Sequence, residues 1–287
     1  MDLKEKLESL ITEEIKSRVT SQSGPLSGSN ALIYDGYNFE SEDSDHCPRM
    51  ALLRRVGDVQ ETKPLKTFLS NRHGRAVEEL VKSLLSRDSE IEFMAEEEVE
   101  VKLEDTKNTL LTARPDLIIK YKDEIYPIEL KTVQSGSTAF SIFIKEKPKL
   151  GALIQLAIYL YGHQKNKGYL LYICSNWFSG YAGKGNRWTV EPSIKVFEVE
   201  VKEDGYYYYN NIKSLLNFQK IIQGSYKFLE LKEKEILPER PVWLDINGEV
   251  PNYKGCTYCF AASACDYMDT MQNTNLMDFF HKAKESL

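Results

Sequence analysis

No run of about 18 consecutive apolar residues occurs in this 287-residue chain, so no segment reads as a membrane-spanning helix. The start, Met1–Asp2–Leu3–Lys4–Glu5–Lys6, lacks the basic-then-apolar order of an export signal, and the expectation is a cytoplasmic protein with no membrane partner. Positive charge is not in excess either: 37 Lys and Arg face 43 Asp and Glu, a net charge of −6. That balance excludes a protein that coats nucleic acid by bulk charge, because phosphate binding needs clustered cations. Local basic patches remain, at Arg49, Arg54 and Arg55, at Lys63, Lys66, Arg72 and Arg75, and at Lys145, Lys147 and Lys149. Cysteine is scarce, and the five present are an odd number unevenly spaced. This excludes a secreted disulfide framework and favours a reduced compartment with a bound metal. Internal repeats are missing as well. With 42% apolar residues the chain can nonetheless build a substantial core.

The apolar periodicity changes twice along the chain. Leu3, Leu7, Leu10, Ile11 and Ile15 recur at helical spacing over residues 2–18, followed by a breaker-rich linker from Ser21 to Asn30. A second helix is expected over residues 64–85, with His73 inside it. Apolar and β-branched alternation then predicts three strands, 91–103, 109–121 and 125–133, forming a meander. A helix over 147–163, a strand over 168–174, a loop holding Gly180, Gly183 and Gly185, and a strand over 194–201 follow. Residues 206–235 read as helical, and the last 50 residues as largely irregular. The order implies an α/β or α+β core with a mixed sheet flanked by helices. It divides into an amino-terminal helix and linker (1–30), a helical segment with Cys47 and His73 (31–90), a catalytic core with an insert (91–240) and a cysteine-bearing carboxy-terminal region (241–287).

The chemistry concentrates at Arg114–Pro115–Asp116, followed thirteen residues after the Asp by Glu129–Leu130–Lys131. In a strand, positions i and i+2 share a face, so Glu129 and Lys131 project together, and Asp116 on the preceding strand can join them. Two carboxylates would hold a hard divalent cation such as Mg²⁺ or Mn²⁺, with the Leu130 carbonyl as a further oxygen donor, and an ammonium would orient the attacking water. Glu-x-Lys on a solvated strand is common, and the preceding Pro–Asp is what adds specificity. Gln155 and Tyr159 lie at i and i+4 on the following helix and share one face, available to support the catalytic Lys or a phosphate backbone. His73 is a candidate imidazole ligand.

Cys256 and Cys259 form a CxxC pair, with Cys265 six residues further on and Cys47 far upstream. Four thiolates satisfy either tetrahedral zinc or an iron–sulfur cluster; three clustered cysteines plus one distant fit a [4Fe–4S] centre better. Cys174 ends an apolar strand and reads as a core residue.

Together these motifs resemble the RecB-type PD-(D/E)XK nucleases that carry an iron–sulfur staple. The likeness is greatest to the fourth family of CRISPR-associated (Cas) proteins and its phage and viral relatives, and it spans roughly residues 40–270. The resemblance implies a restriction-endonuclease-like fold and metal-dependent exonuclease action on single-stranded DNA. It also implies His73, Asp116 and Glu129 as metal ligands, Lys131 as the catalytic cation, and Gln155 and Tyr159 in support. A Cas integrase or recombination proteins are the implied partners. A structure-specific flap endonuclease, a restriction-type enzyme and a non-catalytic iron–sulfur DNA-binding module are the competing readings.

Overall fold

The computed structural model describes residues 26–27, 65–94, 99–102, 109–182, 186–234, 243–245 and 248–250. The expected amino-terminal helix and the four cysteines read as cluster ligands, Cys47, Cys256, Cys259 and Cys265, lie outside the described residues. One compact unit comprises Pro25–Asp35 and His73–Ser225; a second comprises Met1–Gly24, Gly36–Arg72 and Tyr226–Leu287. The fold that carries the candidate site belongs to the first unit.

Along the whole chain the described elements run in order β1 (Leu26–Ser27), α1 (Leu65–Leu85), β2 (Ile91–Phe93), β3 (Val99–Lys102), β4 (Thr109–Ala113), β5 (Leu117–Tyr121) and β6 (Glu124–Val133). Then come α2 (Gly136–Ala139), a five-residue π turn (Phe140–Ile144), α3 (Leu150–Gly162), β7 (Lys167–Cys174), β8 (Phe178–Ala182) and β9 (Asn186–Val190). The series ends with β10 (Ser193–Val201), β11 (Tyr206–Tyr209), β12 (Ile212–Asn217), α4 (Phe218–Glu233), β13 (Trp243–Asp245) and β14 (Gly248–Val250).

Seven strands form the main sheet in the order β12-β11-β10-β7-β6-β5-β2. β6 and β7 are parallel, linked by the helical crossover that a parallel pair requires, and the other neighbours are antiparallel, so the sheet is mixed as expected. One face is covered by α1, whose Val77 and Val81 pack on Leu117, Ile119, Ile128 and Leu130. On the other face lies α3, whose Ile154, Leu156, Ala157 and Ile158 have no exposed surface. Strict alternation along β7 buries Gly168, Leu170, Tyr172 and Cys174. Cys174 is thus a core residue, as its place at the end of an apolar strand suggested.

Three expectations need correcting. The alternating region 91–133 holds five strands rather than a three-stranded meander, because Pro115 lacks the N–H a ladder needs and splits β4 from β5. β4 then pairs with β3 and with Leu26–Ser27 of the supposed linker, in a separate sheet. In the glycine-bearing stretch after β7, Gly180 lies in a strand, β8, which pairs with β9; Gly183 and Gly185 lie outside the described residues. The tyrosine run is strand β11 rather than the start of a helix; Asn210 and Asn211, at φ of 46° and 66°, make the left-handed turn into β12 that Asn tolerates. The helix begins only at Phe218.

Candidate active site

β5 and β6 bring the acidic residues together by register. Leu117 pairs with Ile128, so one further step of the same antiparallel ladder sets Asp116 directly opposite Glu129 on the α3 face. Directly opposed side chains stand about 5 Å apart at Cβ. Lys131 lies two residues along β6 on the same face, and its ammonium forms an ion pair with Glu129 Oε1. The three side chains therefore converge at the end of β5.

Glu129 is only 1% exposed, so its charge must be matched by direct partners. Lys131 takes one oxygen; the hydroxyl of Tyr159, on α3, donates to the other at 2.7 Å. Burial and the Glu129 carboxylate push the Tyr159 pKa far above its usual value, so the phenol stays a proton donor. The Gln155 amide, one turn earlier, bonds to the same hydroxyl and opposes that shift. The i, i+4 pair thus works as a relay of hydrogen bonds ending on Glu129.

Asp116 Oδ2 accepts the Leu130 N–H at 2.8 Å. Burial first, and the Glu129 charge second, push the Asp116 carboxyl up to about 7, against the lowering pull of the Leu130 N–H and Lys131. A residue's N–H and C=O in a strand are directed at the same neighbour, so the Leu130 carbonyl also faces the end of β5. Two steps along the register, the residue opposite it is Pro115, which has no N–H to give it. A backbone oxygen without a ladder donor and two opposed carboxylates form a hard-oxygen donor set. Carboxylates whose mutual repulsion favours protonation are stabilised when a dication takes the proton's place. The residues present therefore fit a Mg²⁺- or Mn²⁺-type ion. Among the described residues no three His, Cys, Asp or Glu side chains gather into a ready-made cage.

His73 is not gathered with these groups. It is exposed on α1, with Nε2 3.4 Å from Ser175 Oγ just past β7. The α1 side chain whose charge does reach Asp116 is Glu78, which raises the Asp116 pKa further. Glu78 is also held by Lys82 at 2.7 Å, one turn away. Sequence reading missed it. Five residues separate it from His73, about 140° around a helix, and its position beside the buried Val77 was the available signal.

A profile described as the PD-(D/E)XK nuclease superfamily matches residues 33–266. No curated protein matches the chain significantly. Among solved structures, SSO0001 is 18% identical, with 92% of this chain and 96% of that one covered at a TM-score of 0.48. An alkaline exonuclease (LHK-Exo) from Laribacter hongkongensis is 13% identical, with 78% and 94% covered and a TM-score of 0.46. The same exonuclease in complex with dAMP gives 12%, 77%, 94% and 0.47.

Proposed function

The chain belongs to the PD-(D/E)XK nuclease superfamily, and on that premise we propose that it hydrolyses DNA phosphodiesters, working as an exonuclease on single-stranded ends. The observation that carries this reading is the placing of Asp116 opposite Glu129 with Lys131 ion-paired beside them. Asp116, Glu129 and the Leu130 carbonyl would hold Mg²⁺ or Mn²⁺. The ion, when bound, supplies Lewis acidity toward the phosphate and acidifies a water. Lys131, 38% exposed, extends from the buried carboxylate toward solvent, where its ammonium orients the nucleophile and stabilises charge developing on the phosphate oxygens. Tyr159 and Gln155 fix the rotamer of Glu129 so that its carboxylate does not swing away when Lys131 turns to the substrate. His73, exposed on α1 beside Ser175, would contact the DNA.

Cys47, Cys256, Cys259 and Cys265 are proposed to hold a [4Fe–4S] cluster, on the strength of their spacing in the sequence. Such a centre closes a loop around the nuclease segment and couples folding to metal loading.

Metal-dependent cleavage of end-labelled single-stranded DNA tests the first assignment. Asp116→Asn and Lys131→Ala should each lower the Mn²⁺-supported rate by at least about 100-fold, the scale of losing an electrostatic catalytic group, with unchanged circular dichroism. Wild-type rates in both variants would end the nuclease reading. For the cluster, anaerobically purified protein should be brown, absorb near about 400 nm and contain about four irons per chain; a colourless protein holding one zinc would replace iron with zinc.

A further inference from the structure

The β8–β9 hairpin has no part in the carboxylate chemistry, yet it rises from the same end of the sheet. β6 and β7 run parallel, with Lys131 beside Tyr172 and Val133 beside Cys174. The hairpin begins at Phe178, four residues beyond that last pair. Alternation gives it two faces. On the inner face Trp188 is opposite Gly180, and its ring packs 5.1 Å from Phe140 of the π turn and beside Gly136 at the start of α2. A Cβ at Gly180 would lie 2.7 Å from the indole, so only glycine admits the ring. The hairpin is in this way seated on the segment that directly follows β6.

Its outer face is composed differently. Tyr181 is opposite Arg187, Ser179 is opposite Thr189, and Trp177 lies one residue before β8. Tyr181 is 74% exposed and Trp177 65%, the two most exposed large apolar side chains among the described residues. Neither has an aromatic partner there, whereas the exposed Tyr161 stacks on Phe218 at 3.9 Å. Neither strand of the hairpin contains a carboxylate; Glu191 lies beyond the end of β9. Behind the anchor, Lys145 stands 5.3 Å over the Phe140 ring. Two open aromatic faces, a guanidinium, hydroxyls and no acid make a surface suited to unpaired bases and a phosphate backbone, because base stacking accepts any sequence and a negative charge would repel the strand. A protein-docking patch would more often bury its aromatics in a hydrophobic centre.

We infer that the outer face of the β8–β9 hairpin, centred on Trp177, Tyr181 and Arg187, is a base-stacking platform that holds unpaired bases of the DNA strand leading into the Asp116–Glu129 site. The inference rests on the nuclease reading for its direction, but its binding part is tested without cleavage. Trp177 and Tyr181 are four residues apart, which extended chain spans in up to about 13 Å at about 3.3 Å per residue, against about 3.4 Å between adjacent stacked bases. The platform therefore grips an extended strand at two points and leaves the duplex, whose bases are occupied, outside.

The experiment measures anisotropy of a fluorescein-labelled oligothymidylate in Ca²⁺, with a blunt duplex as control, for the full chain and for Trp177→Ala/Tyr181→Ala and Trp177→Phe/Tyr181→Phe. Mn²⁺-dependent hydrolysis of bis(p-nitrophenyl) phosphate is followed in parallel. The alanine pair should weaken oligothymidylate binding by about tenfold or more, the scale expected for two stacked bases, while the phenylalanine pair retains it. Duplex affinity and turnover of the small phosphodiester should stay within about twofold. Unchanged oligothymidylate affinity in the alanine pair, or an equal loss for duplex, would overturn the platform. Strong stacking-dependent binding by a wild type that hydrolyses neither substrate would uphold the platform and remove the nuclease reading instead.

Discussion

Asp116 and Glu129, drawn together where β5 meets β6, have different surroundings. Glu129 is almost fully enclosed and has both oxygens bonded, by Lys131 and Tyr159. Asp116 keeps one backbone donor and a carboxyl pushed up to about 7 by burial and by Glu129. A raised carboxyl pKa means the folded, cation-free protein holds a proton that the unfolded chain releases near 3.8. Stability from this group is therefore greatest at low pH and declines as pH climbs from about 4 to about 7. A cation must displace that proton, so its affinity should grow over the upper part of the same window. Tyr159→Phe removes the donor from a buried carboxylate oxygen; an unsatisfied buried acceptor costs about 1–3 kcal/mol. Urea denaturation should register that loss, and DNA cleavage should slow because Glu129 is no longer held. These residues were legible in the sequence because they lie on adjoining strands and one helix face, where spacing alone sets direction. Glu78 was not, because which way a helix presents its flank depends on how α1 rolls onto the sheet.

At the scale of elements, the long helices and the central strands followed their periodicity: α1, β6 and β7 begin and end within about two residues of expectation. The hairpins did not. Residues 206–217 carry apolar groups at spacings compatible with a helix, and only the paired positive φ at Asn210–Asn211 turns them into β11 and β12. Glycines at 180, 183 and 185 read as a loop, yet Gly180 is there to admit Trp188 from across the hairpin, a non-local need invisible in a window. Gly168 answers a similar need where β6 meets β7. A Cβ on it would stand 2.7 Å from the Pro127 carbonyl oxygen and 3.1 Å from Leu156 and Leu160 of α3. Gly168→Ala should therefore cost about 1–3 kcal/mol through overpacking, seen as a lower thermal midpoint. It should also reduce cleavage, since β6 two residues from Pro127 carries Glu129. A midpoint equal to wild type would show that the β6–β7 contact yields more easily than its backbone partners suggest.

For the molecule as a whole, superfamily membership and the mixed sheet were within reach of the sequence because the Asp116, Glu129 and Lys131 pattern is local to one pair of strands. Separation of β3 and β4 into their own sheet was not, since the amino-terminal Leu26–Ser27 that pairs with β4 is distant along the chain. With a net charge of −6, attraction of DNA would fall to local groups, among them the proposed cation between the two carboxylates and the basic side chains near them. The nuclease reading depends on that cation binding between β5 and β6. Isothermal titration of chelator-treated protein with Mn²⁺, at pH 6 and pH 8, measures it directly. Wild type should show a Mn²⁺ site tighter at pH 8, weakened beyond detection in both Asp116→Asn and Glu129→Gln. Mn²⁺ binding of wild-type affinity in the Asp116→Asn/Glu129→Gln double variant would contradict the account.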